Sequence, residues 1–296
     1  MALLSGRRIR ALLRTDLRGR IVEEEKEGRM RNRSVERPRQ TAFALSAGIL
    51  ISCFLAIAAA PAAASSGQVQ IGAQGGLSIP NIRDGDNVFS RGYSSRKGPF
   101  FGLFAEFKLG PHFSLRAEVN HDSQGGKWDG MQPVIIDLPG FILPPGLLLY
   151  ADFSNEAILD YLELPLLAEV TWGERPRFFI NGGPYLGYLL RAKTVTRGTS
   201  SLFVDDSGTP LLLPPDYQPL PPFSFEAETD SKGDINDWSA GITGGAGLAV
   251  PAGPGEIIFG VRFSLGLTNI QSDVETYGKN HTGGVILTIG YAYTLK

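Results

Sequence analysis

A two-residue alternation of apolar and polar side chains dominates the chain after residue 66 and constrains the fold more than any other feature. Residues 256–269 show it most clearly, because every residue of one face from Ile257 to Leu267 is large and apolar. The opposite face is small or polar except at Ile258, with Arg262 in its middle. A strand has only two faces, and an arginine is costly in a dry core but acceptable in a polar interior. The segment therefore predicts a strand with an oily side and a hydrophilic side.

Eight segments alternate in this way. Each is close to the about 10 residues that a tilted strand needs to cross a bilayer. Phe104 and Ile286 are exceptions, because each is an apolar residue on a face that is otherwise polar or small. No stretch after residue 66 holds 18 consecutive apolar residues, so no membrane helix is expected there. The eight alternating segments begin near Val69, Phe101, Phe113, Tyr161, Phe178, Trp238, Ile257 and Val285.

Long and short connections alternate along the chain, which is typical of membrane barrels with short periplasmic turns and long external loops. The tight connections contain glycine and proline, the usual turn residues. An open sheet edge in lipid would leave backbone groups without partners, at several kcal/mol each. We therefore predict an all-β fold, an eight-stranded antiparallel up-and-down transmembrane β-barrel that follows a cleaved signal peptide. The long connections are expected at 79–96, 121–156, 195–235 and 268–281, and the tight ones at 109–112, 172–176 and 251–255.

The first 65 residues have the three parts of a secretory signal: arginines at 31–39, an apolar run at 41–60 and small residues at 61–66. We expect cleavage near Ala64. A membrane anchor and a lipoprotein site at Cys53 are the alternatives. Residues 1–29 precede Met30 and are interpreted as an extension upstream of the true start, or as an Arg-rich amphipathic helix. The predicted organisation is thus an extension at 1–29, a signal peptide at 30–65 and a barrel at 66–296.

Charge and cysteine content exclude several function classes. The 1–65 segment holds 12 of the 28 Lys+Arg and 6 of the 30 Asp+Glu, which leaves a net charge of −8 for residues 66–296. An acidic body argues against a nucleic-acid partner, which needs a basic footprint. The single cysteine, Cys53, lies in the predicted leader, so the body offers no disulfide, zinc-thiolate site or cysteine nucleophile.

Charged residues on the inward faces are predicted to plug the barrel. An eight-stranded lumen is just wide enough to be filled by side chains. The candidates for this polar lumen network are Arg116, Glu118, Glu163, Glu169 and Arg262.

No catalytic, cofactor-binding or metal site is predicted. The sequence His121-Asp122-Ser123 contains the residue types of a hydrolase triad, but neighbouring strand residues point to opposite faces. The glycines of residues 241–247 have no following Lys-Ser/Thr, so they do not form a phosphate loop. Asp205-Asp206 and residues 84–86 do not form a full calcium loop. We therefore expect a protein that is not an enzyme and that needs no cofactor.

Four motifs resemble strands of the porin-like outer-membrane β-barrel proteins that are often called PorT-like. They occur in the family's order and span roughly residues 68–296. The resemblance implies an eight-stranded membrane barrel, and some relatives are linked to protein secretion. The motifs are YLELPLL at 161–167, GGPYLGY at 182–188, DWSAG with GAGL at 237–248, and RFSLGLTNI at 262–270.

The function expected from these observations is structural or interactive. The long loops at 121–156 and 195–235 would meet a protein partner outside the cell, and the barrel would contact outer-membrane lipids and lipopolysaccharide. A monomer in the bacterial outer membrane is expected. The alternatives are a narrow porin for small solutes, an accessory protein in secretion, and a soluble lipocalin-like binder, which Arg262 and Glu163 oppose.

Overall fold

The protein is described by a computed structural model over residues 68–83, 85, 88–136, 147–214 and 217–295. The predicted extension at 1–29 and the predicted signal peptide at 30–65 lie outside the described residues. Eight long strands account for most of the described chain. They are β1 (Val69–Arg83), β2 (Gly98–Lys108), β3 (Phe113–Val134), β4 (Leu149–Trp172), β5 (Arg177–Arg197), β6 (Trp238–Ala252), β7 (Gly255–Gly266) and β8 (His281–Thr294).

The eight strands form one closed antiparallel ring in chain order. Each strand hydrogen-bonds to its neighbours in the sequence. Strands β1 and β8 close the ring, in a register that runs from Gln70 opposite Thr294 to Arg83 opposite His281. A closed ring leaves no strand edge in lipid, so the backbone groups in the wall satisfy one another. The predicted eight-stranded up-and-down barrel is confirmed.

The barrel is apolar outside and polar inside, the reverse of a soluble protein. Phe263 is 63% exposed and Leu103 60% exposed, although both are large and apolar. Inward residues such as Gln74 and Glu118 are buried. The two exceptions to the alternation, Phe104 and Ile286, point inward and are buried, so the alternation predicted the faces correctly even where the residue type did not fit.

The connections alternate in length as predicted, but one predicted loop is mostly strand. Strand β3 continues to Val134 and β4 begins at Leu149, so most of the expected loop at 121–156 is a hairpin. Apolar and polar residues do not alternate in its β3 arm, HDSQGGKWDGMQPV at 121–134. Beyond Asp122, β3 no longer pairs with β2 and has left the closed wall, so it needs no oily face toward lipid, and the strand signal is lost.

Short elements fill the long connection between β5 and β6. Strand Ala227–Asp230 extends the sheet along the external end of β5, and two small two-stranded sheets precede it. Within the described ranges, no helix has the length and apolar character needed to cross a membrane. The remaining elements are Thr199–Ser200, Leu212–Leu213, Gln218–Pro219, Phe223–Ser224, a 3₁₀ turn at Lys232–Asp234 and a one-turn helix at Val274–Tyr277.

A β-bulge marks the level at which β4 and β5 leave the barrel wall. The register shifts between Asp160 and Tyr161, so that Arg191 lies opposite Asp160 and Leu189 opposite Tyr161. The extra residue, Leu190, reverses which face of β5 is buried. Bulges of this kind are frequent at the rims of barrels, where they bend the strand and re-aim its side chains.

Candidate functional site

Glu118 is the centre of an ion network in the middle of the lumen. Its carboxylate accepts hydrogen bonds from Arg262 Nη1 and Nη2 at 2.6 and 2.8 Å and from Arg116 Nε at 2.6 Å. Asn120 Nδ2 at 2.8 Å and Gln74 Nε2 at 3.0 Å also donate to it. Arg116 is fixed further by Gln74 Oε1, which accepts from its Nη2 at 2.8 Å. The charge of Glu118, whose side chain has 0% exposure, is therefore fully compensated.

A second ion cluster lies near the periplasmic end of the lumen. Arg177, the first residue of β5, donates from Nη2 to Glu256 Oε2 at 2.6 Å. Its Nη1 lies 3.8 Å from carboxylate oxygens of both Glu106 and Glu169. Glu169 also accepts from Asn181 Nδ2 at 3.1 Å. Three carboxylates thus lie around one guanidinium here.

Glu163 and Asp122 face each other on the external side of the Glu118 network. Both accept from the Nε2 amide nitrogen of Gln124, and the bond to Asp122 is 3.2 Å long. Both carboxylates are buried, at 3% and 1% exposure. Two carboxylates that share one neutral donor repel each other, so this pair is held less favourably than Glu118.

Apolar layers close the lumen on both sides of the central network. Toward the periplasm, Phe104 and Phe179 pack with three small or aliphatic side chains, and the ring of Phe104 lies 3.6 Å from the Arg116 guanidinium carbon. At the external end, side chains from several strands and loops form a larger cluster. Apolar side chains therefore lie on both sides of the charged network. The external cluster comprises Ile82, Ala157, Leu159, Tyr161, Leu189, Ala192, Ile235 and Ile270, with Tyr93 and Tyr277 packed against it.

A separate hydrophobic core lies beyond the external rim. We call it, with the outer halves of β3 and β4 and the segment 198–226, the projection. Phe153 and Phe225 stack at its base with ring centroids 4.5 Å apart. A core of this kind shows that the segment outside the membrane is folded rather than a set of solvated loops. Its buried residues are Val134, Leu149, Ala151, Phe153, Leu202, Leu211 and Phe225.

Polar contacts fix the projection to the barrel. Arg96, in the β1–β2 connection, donates from Nη1 to the carbonyl oxygens of Ser123 and Gln124 at 3.0 and 3.1 Å. Its Nε donates to Glu156 Oε1 at 2.9 Å. Arg96 therefore bridges both strands of the hairpin at its root. Farther out, Lys193 donates to Glu228 Oε1 at 2.8 Å, and this hydrogen bond, with the charge of Lys193, lowers the pKa of Glu228.

The five residues predicted for a lumen network do not form a single cluster. The structure brings Arg116, Glu118 and Arg262 into direct contact and places Glu163 beside them, on Gln124. Glu169 lies in the periplasmic cluster instead. Sequence reasoning missed Arg177, because it follows a tight turn and precedes the visible alternation. It also missed the amides of Gln74 and Asn120, whose inward positions were visible in the same alternation.

The residues with the letters of a hydrolase triad are not arranged as one. His121 stacks on Phe101 with ring centroids 4.6 Å apart, whereas Ser123 Oγ donates to Asp160 Oδ1 at 2.6 Å. Asp205 accepts from the backbone N–H groups of Ser207 and Thr209 in a tight loop. Within the described part of the chain, no three His, Cys, Asp or Glu side chains are placed to hold a metal ion.

The sequence matches a known protein family over most of the barrel. The family is described as "Outer membrane protein beta-barrel domain", and the match spans residues 60–272. The chain belongs to this family. As a member of the outer membrane protein beta-barrel family, it is a protein of the bacterial outer membrane, in agreement with its closed ring and apolar exterior. No curated protein sequence matches the chain.

Solved outer-membrane barrels resemble this family member only distantly. Ail, the attachment invasion locus protein of Yersinia pestis, solved with the heparin analogue sucrose octasulfate, is 9% identical at a TM-score of 0.32 and covers 76% of this chain and 99% of its own. OprG from Pseudomonas aeruginosa is 11% identical at 0.37, covering 78% and 96%. Neisserial surface protein A is 12% identical at 0.31, covering 78% and 100%. No binding partner is carried over from proteins at this distance.

Proposed function

We propose that this barrel is a closed, non-enzymatic platform that displays the projection to a partner outside the cell. The observation that carries the proposal is the hydrophobic core around Phe153 and Phe225. Solvated loops that merely connect strands have no need of a core, and ordering them costs conformational entropy. A folded surface that is already ordered meets a partner without that cost.

The filled lumen favours display over conduction. The Glu118 network occupies the middle of the barrel, and apolar layers lie on both sides of it. A solute that crossed would have to break the five hydrogen bonds on Glu118 or displace the apolar cluster at the external end. The narrow porin, the alternative from the sequence, therefore lacks a path in this arrangement.

Two further proposals concern finer identity and processing. The four motifs at 161–167, 182–188, 237–248 and 262–270 support a PorT-like subfamily within the barrel family. The basic, apolar and small-residue parts of 30–65 support removal of that segment on export, and Met30 supports the interpretation of 1–29 as an extension upstream of the true start. Intact-mass measurement of the protein from outer membranes tests this, because cleavage near Ala64 predicts a mature chain that begins close to residue 65.

Topology labelling tests the display proposal directly. The mature chain would contain no cysteine, so single cysteines report their own position. Ser207→Cys lies on the exposed part of the projection, and Gly110→Cys lies in the open β2–β3 turn, where a side chain meets nothing within 4 Å. On intact cells, a membrane-impermeant maleimide should label Ser207→Cys only. After permeabilisation of the outer membrane, it should label Gly110→Cys equally.

Planar-bilayer recording tests the closed lumen. The purified barrel should give no stepwise current, while Arg262→Ala, which removes the side chain that bridges the central network, serves as the variant most able to open it. Labelling of Ser207→Cys only after permeabilisation would refute display, and regular current steps from the wild-type barrel would refute the plug.

A further inference from the structure

The outer wall of the barrel carries an apolar depression that spans five strands, β5, β6, β7, β8 and β1, with a volume of about 920 Å³. Its rim is formed by outward side chains such as Ile242 and Phe263, which are 50% and 63% exposed. None of the ions of the lumen networks lines it. It is therefore a feature of the surface that faces lipid, separate from both the lumen and the projection.

Two facing glycines form the floor of the depression. Gly182 of β5 lies directly opposite Gly244 of β6, so no side chain covers the backbone of the wall at this point. A Cβ built at Gly182 would have its nearest neighbour at 3.6 Å, which is ordinary van der Waals contact. Sheet packing therefore does not require glycine at 182, whereas an open depression does.

The depression rises from the middle of the bilayer to the external rim. Its lining follows one row of paired residues, from Gly182 through Gly244, Phe263 and Val285 to Ile79. Gly182 is the sixth residue of β5 from its periplasmic start, but Ile79 is the eleventh of β1. The end near Gly182, which we call the deep end, is consequently apolar and lies near the middle of the bilayer. The end near Ile79, which we call the shallow end, reaches the level of the lipid headgroups.

The shallow end is polar and cationic. Asn81, Arg83 and Ser95 line it. The Arg83 side chain lies over Gly283, since a Cβ there would be 2.8 Å from Arg83 Nε. Arg83 Nε and Asn81 Oδ1 are buried, and neither has a hydrogen-bond partner among the described residues. Arg83 lines the depression and is only half-buried, so its cationic side chain is open to an acceptor that comes from outside the chain.

We propose that this depression binds one phosphorylated lipid of the outer leaflet, with an acyl chain along the glycine floor and the phosphate on Arg83. The arginine fork matches the geometry of phosphate, and the glycine floor gives the chain an apolar bed. A second copy of the protein fits less well. A two-fold contact pairs identical patches, and the described lining residues include no carboxylate to meet Arg83.

Native mass spectrometry in a mild detergent, with dimyristoylphosphatidic acid as the probe, tests the proposal. The wild-type barrel should retain one lipid. Gly182→Leu fills the floor and Arg83→Gln removes the cation, so each should weaken retention at least about tenfold. The matched controls are Gly75→Leu, an outward glycine outside the depression whose Cβ would meet nothing closer than 3.8 Å, and Arg197→Gln, an exposed arginine of β5. Gel mobility with and without boiling verifies that every variant is folded.

Each arm of the experiment has a decisive outcome. Weaker binding in both test variants with unchanged binding in both controls supports the site. Equal weakening in Gly75→Leu, or none in Gly182→Leu, overturns it. Full displacement of the lipid by inorganic phosphate would mean an anion site only, and equal retention of dimyristoylglycerol, which has the same acyl chains but no phosphate, would mean nonspecific lipid binding. A dimer that Gly182→Leu abolishes would assign the depression to a second copy instead.

Discussion

Glu118→Gln is the most informative change in the lumen, because it removes one charge and little volume. The new amide nitrogen must replace either Oε1, which accepts from Arg116 and Arg262, or Oε2, which accepts from Arg262, Asn120 and Gln74. At least two hydrogen bonds to a charged group are lost, at about 1.5–3 kcal/mol each. Two buried guanidiniums also lose their counter-ion. Breaking a buried ion pair from one side costs about 3–5 kcal/mol, and we expect a loss of stability in that range.

The measurement is reversible urea unfolding of the barrel in lipid vesicles, followed by tryptophan fluorescence and by gel mobility without boiling. Glu163→Gln is the matched control, since it is the same substitution in the same lumen. It keeps an acceptor for Gln124 and removes the repulsion with Asp122, so it should be neutral or stabilising. Adding Arg262→Gln to Glu118→Gln removes the surplus cation and should recover part of the loss. Equal effects of the two glutamate substitutions, or a loss below about 1 kcal/mol for Glu118→Gln, would contradict the charge assignment.

Three further predictions concern the projection and the strands at its root. Phe153→Ala removes a buried ring stacked on Phe225 and should lower the free energy of unfolding of the projection by about 3–5 kcal/mol. Proteolysis within the projection should become rapid, while the boiling-dependent gel shift of the barrel stays unchanged. Arg96→Gln leaves only part of the bridge to the hairpin root and should speed amide exchange there, with a milder proteolysis pattern than Phe153→Ala. Because the hydrogen bond from Lys193 lowers the pKa of Glu228, their contact should persist at neutral pH and be lost only as the pH falls below the ordinary range of a glutamate carboxyl. After correction for the intrinsic pH dependence of amide exchange, protection of the 227–230 strand should therefore fall in acid, and equal protection at pH 7 and pH 3 would count against the pair.

Much of the barrel could be predicted from the sequence because lipid imposes a strict rule on each strand. The alternation of inward and outward side chains holds even at Phe104 and Ile286, whose position in the strand, rather than their residue type, decides that they point inward. It stops at the rim. Beyond it the outer β3 residues pack against loops such as the one that contains Arg96, and no alternation marks them as strand, although their partners in β4 do alternate from Leu149 to Leu159.

The central network was partly predictable for the same reason. The alternation of inward and outward positions, which we call strand parity, placed Arg116, Glu118 and Arg262 inside. Opposite charges in a narrow lumen are then close enough to pair. Parity does not say at which height each residue lies, because height depends on strand register and tilt. Glu169 is therefore inside as predicted but pairs near Arg177, at the periplasmic end.

The pairing of β3 with β4 keeps one register from Phe113 opposite Val170 to Val134 opposite Leu149. Deleting a single residue within this ribbon would exchange the two faces of everything beyond the cut. Lipid-facing, lumen-facing and projection residues would all be affected at once. Insertions and deletions can therefore accumulate only in the connection between β3 and β4, at 135–148, or as changes of equal length at paired positions of the two strands. Related chains should vary in the length of that connection, while the number of residues in the paired parts of β3 and β4 stays constant.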